Sequence, residues 1–141
     1  MTKRPNSELL VKAGRAYVFK QHSGGPGVRC LKTGKPHEVL QLAALKQAKY
    51  QARVLDQGHH KWAQRKKRLL SQLPGYQIEE NVAEAWPDDT RVEAATEMFY
   101  SWERSPGHWS LCQRRCQFYG INMAKGDNGI WYATLLVAWK T

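Results

Sequence analysis

"FYGINMAKGDNGIWYATLLVAW", residues 118–139, decides how the rest of the chain is read. Around it the apolar period changes from helical to extended: "CQFYGINMA" (116–124) and "GIWYATLLVAW" (129–139) flank "KGDNG" (125–129), a hairpin loop by composition. In the second segment Trp131, Ala133, Leu135, Val137 and Trp139 alternate with Ile130, Tyr132, Thr134, Leu136 and Ala138, and both sets are largely apolar. A strand of that kind is covered on both faces, so helices are expected above and below it.

Upstream the periodicity is helical. Ser7 is placed to cap a helix with a Leu10, Ala13 and Tyr17 stripe running to about Gln21, where "SGGPG" (23–27) stops it. Residues 28–36 read as a loop with one short extended piece. Glu38–Gln57 puts Leu45, Ala48, Ala52 and Leu55 on one helical face, with Gly58 at the C-terminal stop. "HHKWAQRKKRLLSQLPG" (59–75) is basic and partly helical until Pro74 and Gly75. Thr90 and Glu93 have capping-box spacing ahead of a Val92, Ala95, Phe99 and Trp102 stripe, and Pro106 with Gly107 ends that helix by Ser105. The expected fold is α+β, a three-layer α-β-α sandwich with a small antiparallel sheet between helices. One domain spans residues 1–141, led by a flexible segment over residues 1–6.

With 141 residues, 42% hydrophobic content, 6 Trp and 6 Tyr, the chain can bury a real core. No stretch approaches the roughly 20 apolar residues of a spanning helix, so a soluble protein is expected. The start "MTKRPNSELLVKAG" lacks the apolar centre of a signal peptide, which points to retention inside, or to release by lysis or packaging in a particle. Lys plus Arg number 22 against 12 Asp plus Glu, a net charge of +10 that attracts nucleic acid, anionic lipid or acidic glycan. The odd count of three cysteines, Cys30, Cys112 and Cys116, argues against a complete disulfide framework, and without paired CxxC units against a zinc ribbon, so free thiols or one bridge are expected.

The sequence holds no Walker-type phosphate loop and no GxSxG elbow. Five histidines fall at His22, His37, His59, His60 and His108, and those at 59–60 and 108 follow helix ends, where an imidazole can line a cleft. In "IEENVAEAW" (78–86), Glu79, Glu80 and Glu84 read either as a solvated charge cluster or with one carboxylate turned inward to orient a histidine. Lys61, Arg65, Lys66, Lys67 and Arg68, beside Trp62, form a basic patch that reads either as a solvated helix face or as a phosphate-contacting one.

Together, "GHH" after a long helix, "EENVAEAW", "SWERSPGHW" and the closing hairpin resemble the CAP superfamily, the SCP, Tpx and pathogenesis-related-1 domain. Glu80, Asn81 and Val82 match its Glu-Asn-aliphatic motif, Trp102 its helix tryptophan, and Gly107, His108 and Trp109 its Gly-His-aromatic motif. Gly120, Trp131 and Tyr132 match its closing strands, and the first histidine falls on His59 or His60. The likeness runs from about Ser7 to Trp139, and the short "SPGH" form is similar to bacterial members. It departs from the pattern at Glu79, in place of the usual glycine, and at Ser105, in place of a second glutamate for which Glu103 or Glu97 would have to substitute.

The resemblance implies a central cleft of His60, His59, Glu80, Asn81 and His108, with His60 and His108 holding Zn2+ or another divalent cation. It implies a binding module whose basic surface meets an anionic glycan, lipid or protein. The alternatives are a virion or assembly component, a basic protein that binds nucleic acid, and, less favoured, a metal-assisted hydrolase with Glu80 as base.

Overall fold

The computed structural model describes residues 4–22 and 26–140. In chain order they form α1 (Arg4–Ala16), α2 (Arg29–Thr33), β1 (Lys35–Pro36), α3 (Glu38–Val54), α4 (Trp62–Gln72), β2 (Gln77–Glu84), α5 (Arg91–Glu103), α6 (Pro106–Cys112), β3 (Phe118–Lys125) and β4 (Trp131–Trp139). The architecture is α+β.

The hairpin forms where the pattern places it. Strands β3 and β4 pair antiparallel from Phe118↔Ala138 to Lys125↔Trp131. The loop closes through the Gly126 N–H on the Ile130 carbonyl at 2.8 Å, and Gly129 takes a left-handed φ of 83° that a side chain would resist. The sheet order is β1-β3-β4-β2, so β4 is internal, and every residue from Tyr132 to Trp139 is buried. The sheet is mixed, not wholly antiparallel: β1 adds two residues, Lys35 and Pro36, in parallel beside Phe118 and Tyr119.

Helices α3 and α4 cover one face through Leu40, Ala44, Leu69 and Leu73, which pack with Ile78, Leu136 and Ala138. Helices α1, α5 and α6 cover the other, where Leu10, Phe99, Trp102 and Trp109 pack against Ile121, Leu135 and Val137. Burial of a side chain such as Phe99 stabilises the fold by roughly 1.5–3 kcal/mol. Gly120 lets α3 approach β3 closely, because a Cβ there would lie 2.2 Å from the Leu40 carbonyl carbon and oxygen.

Several elements differ from their expected form. Helix α1 takes in residues 4–6, placed in a flexible lead, and contains Ser7 instead of being capped by it; the buried Ser7 hydroxyl accepts from Gln41 Nε2 at 2.9 Å. It ends at Ala16, well before Gln21, because the Lys20, Gln21 and His22 amides turn to donate to the Glu103 carboxylate at 2.8–3.1 Å. The "SGGPG" stop lies partly outside the described residues. Residues 29–33, read as loop, make the short α2. Helix α3 stops at Val54 with Leu55 in the left-handed C-cap, so Leu55 is 47% exposed and the buried face is led by Leu40, Ala44, Ala48 and Ala52.

The Thr90–Glu93 capping box is present, but Val92 in the first turn of α5 is 61% exposed while Ala95, Phe99 and Trp102 are buried. Pro106 and Gly107 do more than stop α5. Pro106 is the first residue of α6, where its missing N–H is harmless, and His108 lies in that helix's first turn. The acidic stretch "IEENVAE" is part of the edge strand β2, paired with β4 from Gln77↔Trp139 to Glu84↔Tyr132. All three cysteines are buried free thiols.

Candidate functional site

Strand alternation decides which carboxylate of β2 turns inward. Ile78, on the α3–α4 face, packs with Leu69 and Leu73. Glu80, two residues on, projects to the same face and is only 6% exposed. A buried carboxylate needs partners. Arg65 on α4 supplies Nη1 to Oε2 at 2.6 Å and Nη2 to Oε1 at 2.9 Å, and His59 Nδ1 lies 3.0 Å from Oε1. Arg65 is itself held by its Nε, which donates to the His60 carbonyl at 2.8 Å, and by the Trp62 ring 5.1 Å from its guanidinium carbon.

This geometry fixes a tautomer. Glu80, already accepting from Arg65 on both oxygens, accepts here too, so His59 Nδ1 carries the hydrogen and Nε2 is the nitrogen directed away from the carboxylate. The His59 side chain is 42% exposed, which leaves Nε2 open to a ligand.

His108 enters from the other layer. The buried Asn81 on β2 donates through Nδ2 to the His108 carbonyl at 2.8 Å and approaches Cys112 Sγ at 3.5 Å, which moors α6 to the strand. Burial pushes the His108 imidazole below its ordinary pKa, and the nearby His59 adds to the effect. His108 is therefore kept neutral, with a lone pair to offer. Glu80 and Asn81, adjacent on β2, thus face opposite layers: Glu80 meets His59 on the α4 side and Asn81 holds the His108 carbonyl on the α6 side.

His60 does not join them. Its Nδ1 lies 3.0 Å from Gln47 Nε2, its Nε2 lies 3.2 Å from Asp56 Oδ2, and its ring meets Tyr50 edge-on. Adjacent residues in this turn point apart, and His59 is the one that reaches Glu80. The basic run divides similarly: Arg65 pairs with Glu80 and Lys66 with Glu79, while Lys61, Lys67 and Arg68 remain exposed. Glu84 is exposed at the end of β2.

Neither substitute for the second glutamate reaches the site. Glu97 lines a groove on the outer face of α5 with Lys20 and Tyr100. Glu103, 1% exposed, accepts from the Tyr17 hydroxyl at 2.6 Å, from three consecutive amides and from His22 Nδ1. Burial raises the Glu103 carboxyl, but these donors outweigh it and bring its pKa to about 2. His22 in turn stacks on Trp109, the residue after His108, with ring centroids 5.5 Å apart. Sequence reasoning missed this strap and missed Arg65 as the partner of Glu80. The only available signal was an inward carboxylate in a basic chain, which names no partner.

Among the described residues no helix is long and apolar enough to cross a membrane. No family model matches the chain, and no curated protein matches it.

Proposed function

We propose that this chain is a CAP-type binding domain whose site at His59, Glu80 and His108 takes a divalent cation or a small ligand. One observation carries the reading: Glu80 and Asn81, adjacent on β2, each hold one histidine, His59 through its Nδ1 at 3.0 Å and His108 through its carbonyl at 2.8 Å. A carboxylate behind one imidazole fixes its tautomer and raises its basicity, which suits Zn2+ or a similar cation.

The donor set is small. Among the described residues no group of three or more His, Cys, Asp or Glu stands ready to hold a metal, so two imidazoles act alone. A cation on such a pair is held weakly and keeps positions open for water or ligand. When bound, it would supply Lewis acidity to whatever fills those positions.

Binding is favoured over hydrolysis. Both oxygens of Glu80 are engaged by Arg65 and one also by His59, which makes Glu80 a positioning group instead of a base. The exposed Lys61, Lys67 and Arg68 give the same side of the protein a surface for an anionic glycan, lipid or protein.

Calorimetric titration with ZnCl2 and with CoCl2 tests the reading. His59→Ala and His108→Ala are each expected to weaken binding at least tenfold, and His60→Ala to leave it within about twofold. Loss of binding in His60→Ala with retention in His59→Ala would reject this site.

A further inference from the structure

We propose that a second site, a basic groove at the loop end of the hairpin, binds nucleotide units of single-stranded nucleic acid. The groove encloses about 470 Å3 and is lined by Asn6, Lys49, Ala52, Arg53, Ala124, Lys125, Asp127 and Trp131. It lies far along β3 from β1, which pairs with Phe118 and Tyr119, so among the described residues no strand covers this part of the edge.

Two features give the groove its chemistry. Lys49, Arg53 and Lys125 line it, are all exposed, and make no ion pair among the described residues. Asp127 is the one acidic lining residue, so positive charge prevails by three to one. Lys49 and Arg53 are one helical turn apart on α3 and project together. Lys125 is the cross-strand partner of Trp131 and shares its face. The half-buried Trp131 thus offers an aromatic surface beside three unneutralised cations, the combination that holds a phosphate while a base stacks.

The walls are ordered. Asn6 donates through Nδ2 to the Met123 carbonyl at 3.2 Å and accepts from Arg91 Nε at 2.7 Å, which brings a fourth cation and a second guanidinium next to the groove. Asn128 Oδ1 accepts from the Ile130 amide at 3.1 Å and its Nδ2 donates to the Tyr132 hydroxyl at 3.0 Å, fixing the loop between Lys125 and Trp131. The volume lies in the range of a small-molecule site and holds one nucleotide, with the chain continuing along the edge. This site is separate from the histidine pair and stands or falls independently of it.

Fluorescence anisotropy of the full chain with a labelled ten-nucleotide oligouridylate at about 50 mM salt tests the inference. The Lys49→Glu/Arg53→Glu variant should bind more than tenfold more weakly. Arg29→Glu/Arg115→Glu, on exposed positions elsewhere, lowers the net charge from +10 by the same four units and should stay within about threefold. Trp131→Ala should lose about tenfold, and Trp131→Phe, which keeps a stacking ring and the packing, should retain most affinity. Three phosphate contacts set a slope of log affinity on log salt of about −2. Competition by uridine monophosphate at similar concentration assigns a free nucleotide as the ligand, and competition only by oligomers assigns the strand. Absence of binding by the wild type, equal loss in the two charge-reversal variants, or equal competition by base-free polyphosphate would overturn the proposal.

Discussion

Arg65 grips Glu80 with both terminal nitrogens of its guanidinium, at 2.6 and 2.9 Å, across the boundary between α4 and the edge strand β2. The carboxylate side chain has no solvent exposure and that of the arginine is 17% exposed. Such a pair adds little stability over a well-packed apolar substitute, but loss of one partner strands the other. Arg65→Ala should therefore destabilise the protein by about 3–5 kcal/mol in urea unfolding at pH 7. Arg65→Lys, with charge but no fork, should fall between. The double replacement Arg65→Met/Glu80→Met should recover much of the loss, whereas additive effects of the two single changes would show that they do not act as a pair.

A second carboxylate gives a pH dependence of known sign. Glu103 falls from an ordinary value of 4.5 to about 2 in the folded protein. Its stabilisation, about 3 kcal/mol, is present above the unfolded value and is lost as pH falls from about 5 to 2. Thermal melts between pH 7 and pH 2 should show this decline in the wild type. Glu103→Gln should be less stable at pH 7 and should lack that portion of the acid-induced loss, since its amide does not titrate. An unchanged acid profile in the variant would mean that other carboxylates govern the transition.

The limits of sequence reading lie where a residue's partner is remote. The hairpin was legible because both faces of β4 are apolar and the loop composition is distinctive, and the start of α5 because Thr90 and Glu93 cap each other locally. Strand β2 was hidden because the inward position after Ile78 is filled by Glu80, whose neutralising arginine lies 15 residues away. The end of α1 was misplaced because Glu103, more than 80 residues on, captures the amides that a longer helix would use. His59 and His60 were indistinguishable because adjacent residues differ only in direction, which Glu80 and Gln47 settle from different elements.

Two glycines should respond oppositely to a methyl group. At Gly120 a Cβ meets the Leu40 carbonyl and the Gln41 amide nitrogen, at 2.2 and 2.6 Å, and backbone cannot move aside as a side chain would. Gly120→Ala should cost about 3 kcal/mol or more by overpacking, read as a fall in denaturation midpoint. At Gly107, within α6, nothing lies within 4 Å of the added atom, and alanine is the better helix former by up to about 1 kcal/mol. Gly107→Ala should therefore be neutral or stabilising. A large loss there would show that the chain at the start of α6 needs glycine for a reason other than space.

Asn81 offers the sharpest test of how the histidine site is assembled, because its single amide group links β2 to the carbonyl of His108 at 2.8 Å while the residue is 2% exposed. Asn81→Ala removes the donor and should destabilise by about 1–2 kcal/mol. Asn81→Asp keeps the shape but turns the donor into a second acceptor, so a buried carboxylate would face a carbonyl oxygen, and the loss should be greater. Hydrogen exchange locates the effect: amides of α6 should lose protection in both variants at low denaturant, ahead of those of β3 and β4. Equal stability of the alanine and aspartate variants would remove the amide donor as the link, and His108 would then owe its position to the packing of Trp109 and Cys112 alone.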